Sequence, residues 1–246
     1  MEENHPQALY IITGCSKGIG KALLNKILSY PHAAVIGISR TPMKSRERFT
    51  NIQADLSDWQ ALVNKLASIF PDASFYSKVV LINNAAWIGE LKHIGKLDNA
   101  SIARVYASNC VAPAILMNAF AQQYAHTTKE KLVINVSTSA GRNPRDGMSM
   151  YGSTKAALDM LTKVARQEAE ISNSGISYYI LSVGATDTPM QDAIRETTQD
   201  NFSTLQRFID LKNSNGLLTA EEVANHVWQL LQTPIQAEDG YIYIKK

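Results

Sequence analysis

Short apolar runs rich in β-branched residues recur along this 246-residue chain, and helical spacing of apolar residues follows nearly all of them. Because strand and helix alternate about six times, the pattern predicts a parallel sheet with helices on both faces. We expect residues 1–246 to form a single α/β domain around one doubly wound parallel sheet of about seven strands. The strand candidates are residues Ala8–Thr13, Ala33–Ser39, 49–54, Lys78–Asn83, 131–137, 177–182 and 240–245.

Two helix starts carry a local signal. Residues 57–60 read Ser-Asp-Trp-Gln and residues 219–222 read Thr-Ala-Glu-Glu, and both have the spacing of a capping box. The first predicts a helix to about residue 70, and the second predicts a helix to residue 231.

A longer helical pattern covers residues 101–124 and contains Asn109. Asparagine is mildly unfavourable inside a helix. Asn109 therefore either caps a kink near Pro113 or holds a carbonyl group or a water molecule near a site.

Composition excludes several classes of protein. The net charge of +2 is too small to argue for nucleic acid or an acidic membrane surface. The two cysteines, Cys15 and Cys110, lie in separate segments and suggest neither a disulfide framework nor a metal site. Residues 1–6 are polar and unlike a signal peptide, and no apolar run appears long enough to span a bilayer. We expect a cytoplasmic protein without metal, nucleic-acid or membrane partners.

A glycine-rich segment follows the first strand candidate. Gly14, Gly18 and Gly20 lie between that strand and a helical pattern, with Ser16, Lys17 and Ile19 among them. Strand, glycine turn and helix N-terminus together suit a dinucleotide pyrophosphate, since the backbone can approach it closely. An ordinary tight turn explains the glycines equally well.

The next strand candidate ends in Ser39-Arg40 instead of an acidic residue. A carboxylate at this point would bind the ribose hydroxyls, whereas Arg40 with Lys17 suits the extra phosphate of NADP. Arg40 could also simply solvate the loop before Pro42. In a parallel sheet, Asp55, residues 83–86 and residues 183–188 would meet at the same edge, although Asp55 could be a turn cap only.

Tyr151 and Lys155 lie four residues apart on a predicted helix and so share one face. An ammonium lowers the pKa of a nearby phenol, so the pair could pass a proton to or from an alcohol or carbonyl oxygen. On its own the spacing fits a half-buried tyrosine beside a solvated lysine.

Taken together, these motifs resemble the short-chain dehydrogenase/reductase family over essentially the whole chain, which implies a Rossmann-like fold. The resemblance implies that Tyr151 is the general acid, that Lys155 lowers its pKa and holds the nicotinamide ribose, and that Asn109 anchors a water. The family's catalytic serine is replaced by Thr138, with Ser139 as the alternative. From the motifs and the resemblance together, the candidate cofactor residues are Gly14, Ser16, Lys17, Gly18, Ile19, Gly20, Ser39, Arg40, Asp55, Asn84, Ala85, Tyr151, Lys155, Gly184, Thr186 and Thr188.

The C-terminal third is similar to the sepiapterin reductase and bacterial benzil reductase branch, which implies NADPH-dependent reduction of ketones and diketones. Residues 187–216 would form a lid that packs Met190, Phe202 and Phe208 on the substrate, unless these residues only pack the segment onto the sheet. No counterpart of the pterin-anchoring aspartate appears near the C-terminus. The alternatives are a non-catalytic NADP-binding sensor and an NAD(P)-dependent alcohol dehydrogenase acting oxidatively. The resemblance also implies a homodimer or homotetramer.

Overall fold

The computed structural model describes residues 7–127, 129–237 and 239–246. The polar N-terminal hexapeptide therefore lies outside the described residues. All seven strands pair in parallel, in the order β3-β2-β1-β4-β5-β6-β7. Their bounds are β1 Ala8–Thr13, β2 Ala33–Ser39, β3 Phe49–Gln53, β4 Lys78–Asn83, β5 Glu130–Ser137, β6 Ile176–Val183 and β7 Tyr241–Ile244. The predicted fold class is confirmed.

The central strands are apolar throughout because both faces of the sheet are covered. On β1, Tyr10 and Ile12 pack into one core while Leu9 and Ile11 pack into the other, as a period of two requires. The polar ends of these strands therefore emerge together at the carboxyl edge of the sheet.

The helices are α1 Gly18–Leu28, α2 Trp59–Val63, α3 Leu66–Ile69, α4 Asn99–Tyr106, α5 Ala112–Tyr124, α6 Ser149–Ile171, α7 Pro189–Arg195, α8 Leu205–Asn213 and α9 Ala220–Leu230. The capping box at α9 is confirmed: Thr219 and Glu222 exchange both hydrogen bonds.

The other predicted capping box is wrong. Asp55 Oδ1 accepts hydrogen bonds from both the backbone N–H and the hydroxyl of Ser57, so this serine is not free to cap the helix. Asp58 caps α2 instead, through the Ala61 N–H at 3.0 Å. The predicted single helix to residue 70 is divided into α2 and α3.

The long helical pattern is interrupted by one π-helical segment, Ala107–Val111, between α4 and α5. By length and composition, the 26-residue helix Asn99–Tyr124 could cross a membrane, which corrects the expectation that no run is long enough. About a third of its most apolar window is buried, and the side chains of Leu116 and Phe120 pack in the core on one face of the sheet.

Candidate active site

A cavity of about 690 Å³ opens at the carboxyl edge of the sheet. All the predicted site residues line it except Gly20 and Asn109. The structure therefore brings together residues from the ends of six strands, β1 to β6, with the start of α1 and the start of α6. Crevices at this edge are where open parallel sheets bind ligands.

The glycine loop presents free backbone donors to this cavity. Gly14 and Gly18 have φ angles of +70° and +55°, which glycine adopts without strain. No side chain caps the N-terminus of α1, so its first N–H groups remain available for an anion. Gly20 has a packing role, because a Cβ there would collide with the backbone oxygen of Gly14. These donors fit a dinucleotide pyrophosphate.

Thr13 fixes the next loop against the glycine turn. Its hydroxyl accepts hydrogen bonds from the backbone N–H groups of Asn84 and Ala85, at 3.0 and 2.9 Å. The Asn84 amide in turn donates to the Thr13 carbonyl at 2.9 Å. The Asn84 side chain therefore ties β4 to β1 at the cavity floor.

Charged side chains surround the end of β2. Arg40 is exposed and lines the cavity, while the Ser39 hydroxyl is turned onto the Thr41 carbonyl at 2.7 Å. Burial favours a higher pKa for Asp55, but its hydrogen bonds from Ser57 and the nearby Arg40 and Arg104 outweigh that effect and lower the pKa overall. Asp55 is thus both a turn cap and part of the cavity wall.

Tyr151 lies in the first turn of α6 and is half-buried, and Lys155 is buried one turn later. Burial raises the pKa of Tyr151 to about 12. The Lys155 Nζ donates to the Val136 carbonyl at 2.7 Å and lies 5.9 Å from the Tyr151 ring centroid. Burial is the cause of the rise in the Tyr151 pKa, and it acts against the lowering of that pKa by Lys155 that the family resemblance implies.

The loop after β5 packs tightly on α6. A Cβ at Gly141 would lie only 3.0 Å from the Ala156 nitrogen, and one at Gly152 would lie 2.9 Å from the Ala140 oxygen. This close approach places Thr138 and Ser139 in the same cavity wall as Tyr151. The Thr138 hydroxyl accepts from the Ala140 N–H at 3.4 Å and keeps its hydrogen free to donate.

Asn109 is fully buried in the π-helical segment and stands behind the cavity wall. Its side chain accepts from the Trp87 N–H at 2.9 Å and donates to the Trp87 carbonyl at 2.9 Å and to the Thr154 hydroxyl at 3.2 Å. Both of its N–H donors are used, so the side chain positions Trp87, which does line the cavity, and does not itself face a ligand.

The segment 187–216 covers one side of the cavity through α7 and α8. Met190 and Phe208 line the cavity, whereas Phe202 is fully buried and packs on Phe208 with ring centroids 5.2 Å apart. The expectation that all three face a substrate is therefore wrong for Phe202.

Sequence reasoning missed several residues of the wall. Trp87, Met148, Arg145 and Arg207 all line the cavity. Trp87 lies in the loop after β4, Arg145 and Met148 come from the loop between β5 and α6, and Arg207 comes from α8, so these residues meet only in the folded chain. The one sequence feature that could have pointed to this part of the wall is the basic residue Arg145, six residues before Tyr151. In the described parts of the chain, no group of three His, Cys, Asp or Glu residues could hold a metal ion.

Known proteins resemble the chain in both sequence and fold. A model of the short-chain dehydrogenase family matches residues 8–199. A benzil reductase ((S)-benzoin forming) from Bacillus subtilis is 33% identical over 238 residues, covering 96% of this chain and 97% of that protein. A sepiapterin reductase from Meriones unguiculatus is 28% identical over 249 residues, covering 92% of this chain and 91% of that protein. A short-chain dehydrogenase/reductase structure from Saccharomyces cerevisiae has a TM-score of 0.81 at 22% identity, covering 96% and 95%.

These relatives include both kinds of enzyme in the branch that the sequence resembles, so that prediction is confirmed. The match covers most of the sheet together with the glycine loop, Tyr151 and Lys155. The chain is therefore an oxidoreductase that binds a nicotinamide cofactor and belongs to the short-chain dehydrogenase/reductase family.

Proposed function

We propose that the protein reduces a small ketone or 1,2-diketone to the alcohol, with NADPH as the reductant. The observation that carries this proposal is the placement of the Tyr151 phenol in the same cavity wall as the Thr138 hydroxyl and the buried Lys155. At neutral pH the phenol carries the proton that a carbonyl oxygen needs as it becomes an alcohol, and the Thr138 hydroxyl beside it can donate a hydrogen bond to the same oxygen.

The residues divide the chemistry between them. When bound, the reduced nicotinamide supplies the hydride. Tyr151 donates the proton to the carbonyl oxygen as negative charge develops there, and Thr138 donates a hydrogen bond to the same oxygen. Lys155 and the loop residues Gly184, Thr186 and Thr188 hold the nicotinamide end of the cofactor.

The preference for NADP rests on charge at the other end of the cavity. Lys17 and Arg40 line the wall with exposed side chains, at the point where the α1 N-terminus and the end of β2 meet. Arg104 adds a third cation, 3.5 Å from Asp55. These cations outnumber the one carboxylate and favour a 2′-phosphate.

The test is an initial-rate assay of NADPH oxidation with benzil, and with sepiapterin as a second substrate. We expect Tyr151→Phe to lower kcat by about 10² or more while NADPH still binds. Tyr243→Phe is the matched control, because Tyr243 is half-exposed on the edge strand and outside the cavity. NADPH binding without reduction of any carbonyl compound would favour the non-catalytic sensor, and tighter binding of NAD with faster alcohol oxidation would favour the oxidative dehydrogenase.

We also propose a homodimer or homotetramer. The exposed apolar side chains Val111, Met160 and Val164 lie on the helical layer formed by the π-helical segment and α6. Light scattering after size exclusion would give the subunit number, and a monomer would contradict the proposal. A cytoplasmic location stays a prediction.

A further inference from the structure

Two arginines line the cavity on the side of the lid segment. Arg145 comes from the loop between β5 and α6 and is half-buried, and Arg207 comes from α8. Burial and the positive charge of Arg207 both lower the pKa of Arg145, so the two guanidinium groups are near enough to repel each other. Because Arg207 is exposed, solvent screens part of this repulsion, and an anion bound in the cavity would offset the rest.

Nothing in the described parts of the chain supplies that anion. No carboxylate there lies within 4.0 Å of Arg145 or Arg207, whereas Arg142 pairs with Asp159 at 3.4 Å and Arg195 with Asp192 at 2.5 Å. The acidic residue next to Arg145 in the sequence, Asp146, already accepts hydrogen bonds from Ser203.

Asp146 is held by the lid and a neighbouring loop. Its Oδ2 accepts from the Ser203 N–H at 2.7 Å and lies 3.4 Å from His93, and its Oδ1 accepts from the Ser203 hydroxyl at 2.8 Å. Both oxygens of the Asp146 carboxylate are therefore engaged by Ser203 of the lid segment, and neither pairs with Arg145 or Arg207.

The contacts of Arg145 place it at the reacting end of the cavity, and Arg207 lines the same cavity. The Arg145 Nη2 donates to the Ser139 hydroxyl at 3.4 Å, next to Thr138, and its Cζ lies 5.7 Å from the centre of the Phe208 ring. The residues expected to hold the cofactor phosphates belong instead to the glycine loop and the end of β2. The arginine pair thus adjoins the place where a substrate would meet Tyr151.

We propose that Arg145 and Arg207 bind a carboxylate of the substrate, so that the preferred substrate is a carbonyl compound bearing an anionic group. This inference rests on the proposed carbonyl reduction and narrows its substrate class. Guanidinium groups suit the role because their planar forks bind both carboxylate oxygens. Phe208 and Met148 supply apolar surface beside them for the rest of the molecule.

The experiment compares acids with their neutral esters. NADPH oxidation is measured with phenylglyoxylate and 4-oxo-4-phenylbutanoate, each beside its methyl ester, and the ratio of kcat/KM for acid over ester is recorded. We expect this ratio to exceed one in the wild type, and to fall about tenfold in Arg145→Gln and in Arg207→Gln, because each loses a charge-assisted hydrogen bond. The ratio should fall less in Arg207→Lys, because lysine keeps the positive charge but lacks the planar guanidinium group that binds both carboxylate oxygens.

Lys96→Gln is the control for net charge, because Lys96 is exposed and lies outside the cavity wall. Its ratio should match the wild type. A ratio that is the same in the wild type and both arginine variants would overturn the inference. Variants that raise the KM for NADPH equally with acid and ester would also overturn it, since the pair would then bind the cofactor.

A calorimetric titration of 4-oxo-4-phenylbutanoate into the NADP-loaded protein separates this inference from the proposed function. Binding that weakens about tenfold in Arg207→Gln supports the anion site even if no carbonyl compound is reduced. Binding that is absent, or unaffected by the substitution, refutes the anion site even if benzil is reduced.

Discussion

The Nζ of Lys155 donates a hydrogen bond of 2.7 Å to the carbonyl oxygen of Val136, which joins α6 to the end of β5. Lys155 is only 2% exposed. Burial lowers its pKa to about 8, although Asp159 and Cys110 act in the opposite direction. The buried surroundings of Lys155 therefore disfavour its charged form.

The first prediction concerns stability against pH. Below about pH 8, Lys155 is charged in both the folded and the unfolded protein, and burying that charge lowers the stability of the folded protein. Between about pH 8 and the ordinary value of 10.5, the unfolded chain binds more protons, so stability rises with pH. We expect the wild type to gain about 2–3 kcal/mol over Lys155→Met between pH 7 and pH 10. Urea unfolding of both proteins at each pH measures this, and a constant difference would contradict it.

Asn109 gives a prediction about positioning. Asn109→Ala removes the partners of the Trp87 N–H and carbonyl groups and of the Thr154 hydroxyl. We expect unfolding free energy to fall by about 2–4 kcal/mol, because buried polar groups are left unpaired. Urea denaturation checks this value. In the control, Asn64→Ala at an exposed position should change stability by less than about 0.5 kcal/mol, and equal effects of the two substitutions would refute the role of Asn109.

The sequence predicts the sheet well because each strand is a short, continuous apolar run between polar segments. β1, β2 and β4 have the expected bounds. The sequence predicts the helix after Asp55 poorly, because the local pattern does not reveal that Ser57 would donate its hydrogen bonds to Asp55 and leave the cap to Asp58.

The site is predictable to the extent that its residues end strands or open helices, because the parallel topology gathers those positions at one edge. The arginine pair and the π-helical placement of Asn109 depend on tertiary contacts and leave no local signal. The pKa of Tyr151 also depends on burial, which the spacing of Tyr151 and Lys155 does not reveal.

Arg40 gives a prediction about cofactor choice. Arg40→Asp replaces a cation that lines the cavity with an anion, which would repel a 2′-phosphate and could bind ribose hydroxyls. We expect the preference for NADPH over NADH, measured as the ratio of kcat/KM values, to fall by about tenfold to a hundredfold. Arg46→Asp makes the same charge change at an exposed position outside the cavity and should leave the ratio unaltered. An unchanged ratio in Arg40→Asp would refute the charge argument.

Thr138 and Ser139 present a choice of hydroxyl beside Tyr151. The Ser139 oxygen already accepts from Arg145 at 3.4 Å, while Thr138 opens the short 3₁₀ turn Ser139–Gly141 from an extended backbone. We expect Thr138→Ala to lower kcat with benzil by about 10², as for loss of one donor to a developing oxyanion, and Thr138→Ser to stay within a fewfold of the wild type. Initial rates at saturating NADPH measure both. Ser139→Ala is the matched control: if it loses activity while Thr138→Ala keeps it, the donor is Ser139, because each substitution removes one hydroxyl from the same wall.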